Sequence, residues 1–209
     1  MRMICFRAAT VAVVALLAPL VTAASADVPF ATDETVAQEA TALLDDPASP
    51  VIGNPHAGIA VIEFFDYACS YCKAAEPRLE ALIKADKGTK LVLKEFPILT
   101  PASLIATKAA FASVKQGKYA QFHEALMNYK GPLDTSVIFD TAKSVGLDAT
   151  RLRKDMAAPE IDEAIIANFN LARSLRIFQT PGFIVGNHIL TGPSADMDFP
   201  KAVAAARAK

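Results

Sequence analysis

The sequence predicts an α/β fold in which a strand–helix–strand unit, a block of helices and a strand–strand–helix unit follow one another. Three observations carry this. First, Ile59-Ala60-Val61-Ile62-Glu63-Phe64-Phe65 and Thr89 to Phe96 are short β-rich runs flanking a helical pattern from Cys72 to Lys84; such runs form central strands buried on both faces. Second, the chain from about Ala102 to Ile177 reads as almost entirely helical. Third, Phe183-Ile184-Val185 and Ile189-Leu190 flank Gly186-Asn187-His188, a hairpin signal, before an Ala-rich helix from about Phe199 to the end.

The N-terminal stretch reads as a targeting segment rather than part of the fold. Arg2 and Arg7 form a basic start, an apolar run follows from about Ala8 to Ala24, and Ala24-Ser25-Ala26 precedes Asp27. This is the pattern of a cleavable secretory signal over residues 1–26. Pro19 interrupts the run, leaving it short for a span of about 20 residues, so the mature form is expected to be exported and not membrane-spanning. Cleavage would reduce 21 basic residues to 19 against 22 acidic ones, a net charge of −3. It would also remove Cys5, leaving Cys69 and Cys72. No Lys/Arg run and no Gly-rich phosphate loop is present, so nucleic acid is not an expected partner. With 53% hydrophobic and 21% charged residues the chain is globular in composition.

In residues 27–55, Val36, Ala40, Leu43 and Leu44 recur at helical spacing, and Pro47, Pro50, Gly53 and Pro55 then punctuate a turn-rich connection. This N-terminal helix packs on its own domain or serves as an oligomerisation arm. Residues 56–101 and 178–209 form the α/β domain. Within them Glu63 is out of place, because an acid inside a buried strand is expensive unless it has work or a partner, and Pro77 predicts a kink in the first helix. A parallel crossover is the expected geometry of the first unit. Residues 102–177 form the helical insertion, with breaks at Gly117, Gly131-Pro132, Gly146-Leu147-Asp148 and Pro159. Ile161, Ile165, Asn168, Leu171 and Leu175 mark one face of its last and longest helix.

The chemistry centres on Cys69-Ser70-Tyr71-Cys72, placed where a buried strand ends and a helix begins. The strand end carries Cys69 to the sheet edge, and the helix N-terminus supplies unsatisfied N–H groups and a positive dipole end that favour a thiolate. Three-residue spacing brings the sulfurs close enough to bond. Cys69 is therefore the nucleophile and Cys72 the resolving thiol. A static disulfide over so short a loop would stabilise little. A zinc site lacks a second cysteine pair, and His56, His123 and His188 have no ligand-like spacing. They are read as surface or packing residues.

The run Glu63-Phe64-Phe65-Asp66-Tyr67-Ala68-Cys69-Ser70-Tyr71-Cys72-Lys73 resembles the active-site strand and helix of the DsbA-like thiol–disulfide oxidoreductases, in particular the subgroup containing the suppressor-of-copper-sensitivity C proteins. Lys94-Glu95-Phe96-Pro97-Ile98-Leu99, Gln116-Gly117-Lys118-Tyr119 and Thr180-Pro181-Gly182-Phe183 resemble it too. The resemblance covers about Pro50 to the C-terminus. It implies a thioredoxin-like fold with an inserted helical domain, a cis Thr180–Pro181 bond facing the cysteines, and substrate pairing along Thr180. It also implies that Glu63 is a buried acid assisting proton movement from the resolving thiol, with Lys94 as its partner from the adjacent strand. Ser70-Tyr71 departs from the Pro-His dipeptide of the strongest oxidants in the family.

The implied activity is disulfide exchange with cysteine-containing exported proteins in the periplasm. No cofactor or metal is expected. The redox partner would be a membrane protein: an oxidase if the protein oxidises its substrates, a thiol transporter if it reduces or isomerises them. The alternative is a copper-tolerance protein binding Cu(I) through the same two thiolates, since soft Cu(I) accepts sulfur; no Met cluster accompanies them.

Overall fold

The computed structural model describes residues 49–191 and 197–208. The signal segment expected over residues 1–26 and the helix expected around Val36–Leu44 lie outside them. The elements in chain order are β1 (Val51–Gly53), β2 (Ile59–Phe65), α1 (Ser70–Ala85), β3 (Thr89–Glu95), α2 (Pro101–Ser113), a 3-10 turn (Val114–Gln116), α3 (Tyr119–Asn128), α4 (Thr135–Ser144), α5 (Ala149–Asp155), α6 (Pro159–Ser174), β4 (Gly182–Val185), β5 (His188–Thr191) and α7 (Phe199–Arg207). No helix among the described residues is long and apolar enough to cross a membrane.

The strands form one sheet in the order β1-β3-β2-β4-β5. β2 and β3 are parallel, joined through α1, whereas β4 runs antiparallel to β2 and β5 antiparallel to β4. This mixed sheet, with the helical block between β3 and β4, is the thioredoxin-like fold that the motifs implied. β1 was not foreseen. Val51–Gly53 reads as turn because prolines bracket it, yet it pairs antiparallel with β3 over Lys90 to Val92. Leu93 N also donates to Pro50 O at 2.9 Å, where the missing proline N–H costs nothing.

Alternation along β2 divides the core, because successive side chains point to opposite faces of the sheet. Val61 and Phe65 face a large cluster with Leu91, Leu93, Phe183, most of the buried residues of α1, and Phe199 and Val203 of α7. Ala60, Ile62 and Phe64 face a smaller cluster with Val92, Phe96, Ile184 and Ala172 of α6. The helix boundaries follow local chemistry. Thr100 and Ser103 form a capping box ahead of Pro101, Asp134 and Asp148 cap α4 and α5, and Gly117 takes the left-handed conformation after the 3-10 turn. α1 continues through Pro77 as one helix.

β4 begins at Gly182, opposite Phe64 on one side and Thr191 on the other. A Cβ there would lie 2.5 Å from Ile177 Cγ2, inside van der Waals contact. Gly182→Ala should therefore force Ile177 out of its buried seat and lower stability by about 1–3 kcal/mol, read as a drop in urea midpoint. An unchanged midpoint would mean that the segment entering β4 is not packed as described.

Candidate active site

The site is built where β2 ends. Asp66, fully buried, follows the strand and acts as a staple. Its Oδ1 accepts from Ala68 N at 2.7 Å, and its Oδ2 accepts from Ile98 N and Leu99 N, each at 2.9 Å. Cys69 N donates to Asp66 O at 2.9 Å. One carboxylate thus ties the loop carrying Cys69 to the segment following β3. Cys69 is itself the N-cap of α1, with extended backbone (φ −77°, ψ 115°), and its sulfur accepts from Cys72 N at 3.3 Å. Sulfur here takes the place of the hydroxyl or carboxylate oxygen that usually caps a helix.

Thr180 reaches the same sulfur from 111 residues away: the Cys69 thiol donates to Thr180 O at 3.4 Å. The Thr180–Pro181 bond is cis. Cys69 and Cys72 are not bonded to each other. Cys69 retains 4% exposure and Cys72 none. Tyr71, Leu99 and Phe178, neighbours in the chain of the residues just named, are exposed apolar side chains.

The two thiols have opposite electrostatics. The Cys69 thiol is lowered to about 6, first by its hydrogen bond with Cys72 and against the cost of burial, with backbone N–H groups of Cys72 and Tyr71 also favouring the thiolate. Burial pushes the Cys72 thiol strongly up, aided by the interaction with Cys69 and the nearby Glu63 charge. At neutral pH this gives a Cys69 thiolate beside a Cys72 thiol.

Glu63 lies on the Val61–Phe65 face, between Leu93 of β3 and Phe183 of β4. It is fully buried and neither carboxyl oxygen has a hydrogen-bond partner among the described residues. Burial raises its pKa well above the ordinary carboxyl range, with the Glu76 carboxylate and Cys69 adding to the rise. The neutral acid is the favoured form. Lys94 is not its partner. The parallel register sets Lys94 beside Phe64 and Glu63 beside Leu93, so the two side chains leave opposite faces of the sheet. Lys94 is buried on the other face and its Nζ donates to Ser49 Oγ. Adjacent strands suggested a pair; the register, invisible in the sequence, forbids it.

Beside Glu63 lies a buried polar network. Glu95 at the end of β3 accepts from Tyr67 Oη (3.0 Å) and Tyr119 Oη (2.9 Å) through Oε1 and from Thr107 Oγ1 (2.8 Å) through Oε2. Burial lifts its carboxyl to about 8 against these three bonds, which favour the charged form. His123 Nδ1 is 3.1 Å from Tyr67 Oη, and its Nε2 is 3.3 Å from Glu76 Oε1. His123 is therefore a fully buried network member, not a surface residue. Asp66, Tyr67, Glu76, Glu95, Thr107 and Tyr119 were assigned no role from the sequence, and His123 was read only as a surface or packing residue. One signal was available: Glu76 lies four residues after Cys72, on the buried stripe of α1. Among the described residues, no group of three or more His, Cys, Asp and Glu side chains is arranged to hold a metal ion.

Comparison with known proteins follows the same lines. Residues 60–203 match the DSBA-like thioredoxin domain family. A thioredoxin-like oxidoreductase from Silicibacter pomeroyi is 40% identical, with TM-score 0.77 over 80% of this chain and 96% of that one. The catalytic domain of Proteus mirabilis ScsC is 29% identical, with TM-score 0.75 over 87% of this chain and all of that one. The thiol:disulfide interchange protein DsbA of Bordetella parapertussis is 26% identical over 140 residues, 65% of this chain and 66% of that protein. A further match is the Na(+)/H(+) antiporter NhaA 3 of Salinispora tropica, 26% identical over 152 residues; these cover 72% of this chain but only 23% of that protein. With a closely spaced cysteine pair at the strand–helix junction and the family match spanning most of the chain, this protein belongs to the DSBA-like thioredoxin domain family.

Proposed function

We propose that the protein is a periplasmic thiol–disulfide oxidoreductase that exchanges disulfides with exported proteins through Cys69 and Cys72. The observation that carries the reading is the placement of the two cysteines. Cys69 caps α1 with its sulfur 3.3 Å from Cys72 N and 3.4 Å from Thr180 O, and Cys72 is fully buried one turn behind. This arrangement sets the two thiols' pKa values apart. The leader pattern of residues 1–26 supports the compartment. In the oxidising direction a substrate thiolate attacks Cys69 of the Cys69–Cys72 disulfide. The enzyme S–S bond breaks, a substrate–Cys69 bond forms, and Cys72 leaves as a thiolate. Glu63, protonated in its apolar seat, hands Cys72 its proton and regains one from solvent. A second substrate thiolate then attacks the substrate sulfur and releases Cys69 as its favoured thiolate. Reduction of a substrate disulfide is the same sequence reversed, with Glu63 taking the proton as Cys72 attacks.

Thr180 offers its backbone to an extended substrate chain, which would pair there by strand addition. A membrane oxidase or a membrane thiol transporter would return the pair to its working state. The direction follows from the potential of the pair relative to that partner.

Three outcomes test this. With limiting iodoacetamide, Cys69 should be modified before Cys72, its rate following a thiolate with a midpoint about pH 6. Faster modification of Cys72 would reverse the assigned roles. Cys69→Ser should abolish both insulin reduction and oxidative refolding, whereas Cys72→Ser should accumulate mixed disulfides; full activity in Cys69→Ser would end the proposal. Glu63→Gln should slow exchange near neutral pH and also stabilise the protein. An acid whose folded pKa is raised loses stability as pH rises above its unfolded value of about 4.3. The gain in urea midpoint should therefore grow with pH above that value. A pH–rate profile identical to wild type would remove Glu63 from proton transfer.

A further inference from the structure

Beside Cys69, between the first turn of α1 and the loop after α3, lies a cavity of about 510 Å³. Its lining includes Ser70, Lys73, Thr100, Tyr129, Lys130 and Leu133, and no acidic residue. We propose that this cavity is a carboxylate-recognising subsite, so that the protein exchanges preferentially with disulfides flanked by acidic groups. The inference rests on the oxidoreductase reading above and names the substrate preference of that site.

The position is right for a group attached to the reacting sulfur. Ala68 and Ser70, the two neighbours of Cys69, both line the cavity. A residue next to a substrate cysteine lies about 3.8 Å along its chain, so its side chain falls within reach of this space while the cysteine engages Cys69. The charge is also right. Lys73 is part-buried, and its Nζ donates to Tyr129 O at 2.6 Å and lies 5.7 Å from the Tyr129 ring centroid. These contacts hold the ammonium in the wall instead of letting it swing into bulk water. An ammonium has three N–H donors, so one bond to Tyr129 leaves others for a ligand. Lys130 adds a second, exposed cation.

Among the described residues neither lysine makes an ion pair. Asp66, the carboxylate whose charge acts on Lys73, already has both oxygens engaged by backbone N–H groups. Glu76, three residues after Lys73, is buried with its Oε1 3.3 Å from His123 Nε2. Burial and then the Lys130 charge push the Lys73 ammonium down from its ordinary value, outweighing the Asp66 and Cys69 charges, which act the other way. A part-buried cation facing a like charge is in an unfavourable setting that an incoming carboxylate relieves. The carboxylate has two sources, an acidic residue next to a substrate cysteine or the terminal groups of a small thiol such as glutathione, and the chemistry recognised is the same.

The test compares exchange rates of the full protein with matched disulfides. One arm uses a disulfide peptide with Glu beside the cysteine and its Gln twin; the other uses oxidised glutathione and its diethyl ester. Wild type should react about three- to tenfold faster with the acidic member of at least one pair, the scale of one or two part-exposed ion pairs. The preference should shrink as salt is raised. It should fall towards one in Lys73→Gln/Lys130→Gln and be reduced in Lys130→Gln alone, an exposed change that does not touch the Tyr129 contact. The arm showing the preference identifies the source of the carboxylate. Equal rates within both pairs in wild type, or a preference unaltered in both variants, would overturn the subsite while leaving the oxidoreductase reading intact. Failure of every disulfide to react would overturn that reading, and the subsite with it.

Discussion

Cys69 Sγ sits 3.3 Å from Cys72 N and 3.4 Å from Thr180 O. Three stretches of chain must converge to produce those two distances. β2 must end at the sheet edge, α1 must start on the cysteine itself, and the return into β4 must bring Thr180 back across more than a hundred residues. The parallel β2–β3 pair, the antiparallel β2–β4 pair and the Asp66 staple each fix one of these constraints. A sulfur serving as helix cap has its charge stabilised by the same N–H groups that a helix start leaves unpaired. Structure and reactivity thus draw on one interaction.

The surroundings of that sulfur are unusually acidic for a protein interior. Glu63, Glu76 and Glu95 are all buried. They are managed differently. Glu95 has three hydroxyl donors and Asn168 binds its backbone carbonyl, so it also ties β3 to α2, α3 and α6. Glu63 has no hydrogen-bond partner for either oxygen, and burial favours its neutral form. A carboxyl left in this state costs stability. The cost is consistent with its place beside a thiol whose ionised form is disfavoured by the same burial.

Much of this was legible in the sequence. The continuous apolar run of β2, the helical spacing after Cys72 and the hairpin glycine gave the order of elements, because periodicity and turn chemistry are local. Glu63 stood out as an acid among apolar neighbours. What failed was non-local. Lys94 looked like its partner because strand adjacency can be guessed, but strand register decides the face and is set by packing on both sides. β1 was hidden because three residues between prolines carry no period. Tyr67, Glu95, Tyr119 and His123 are separated by up to 56 residues, and each alone reads as an ordinary packing or surface residue. Only the inward position of Glu76, one turn after Cys72, could have pointed to that network.

The central claim is that the reduced protein carries a Cys69 thiolate beside a protonated Cys72. The most direct measurement is the redox potential of the pair against a glutathione buffer between pH 7 and 8. Reduction then takes up two electrons and one proton, so the potential should fall by about 30 mV per pH unit. A slope of about 59 mV would mean that both thiols are protonated in the reduced form, and no slope would mean that both are ionised. Either result would contradict the account.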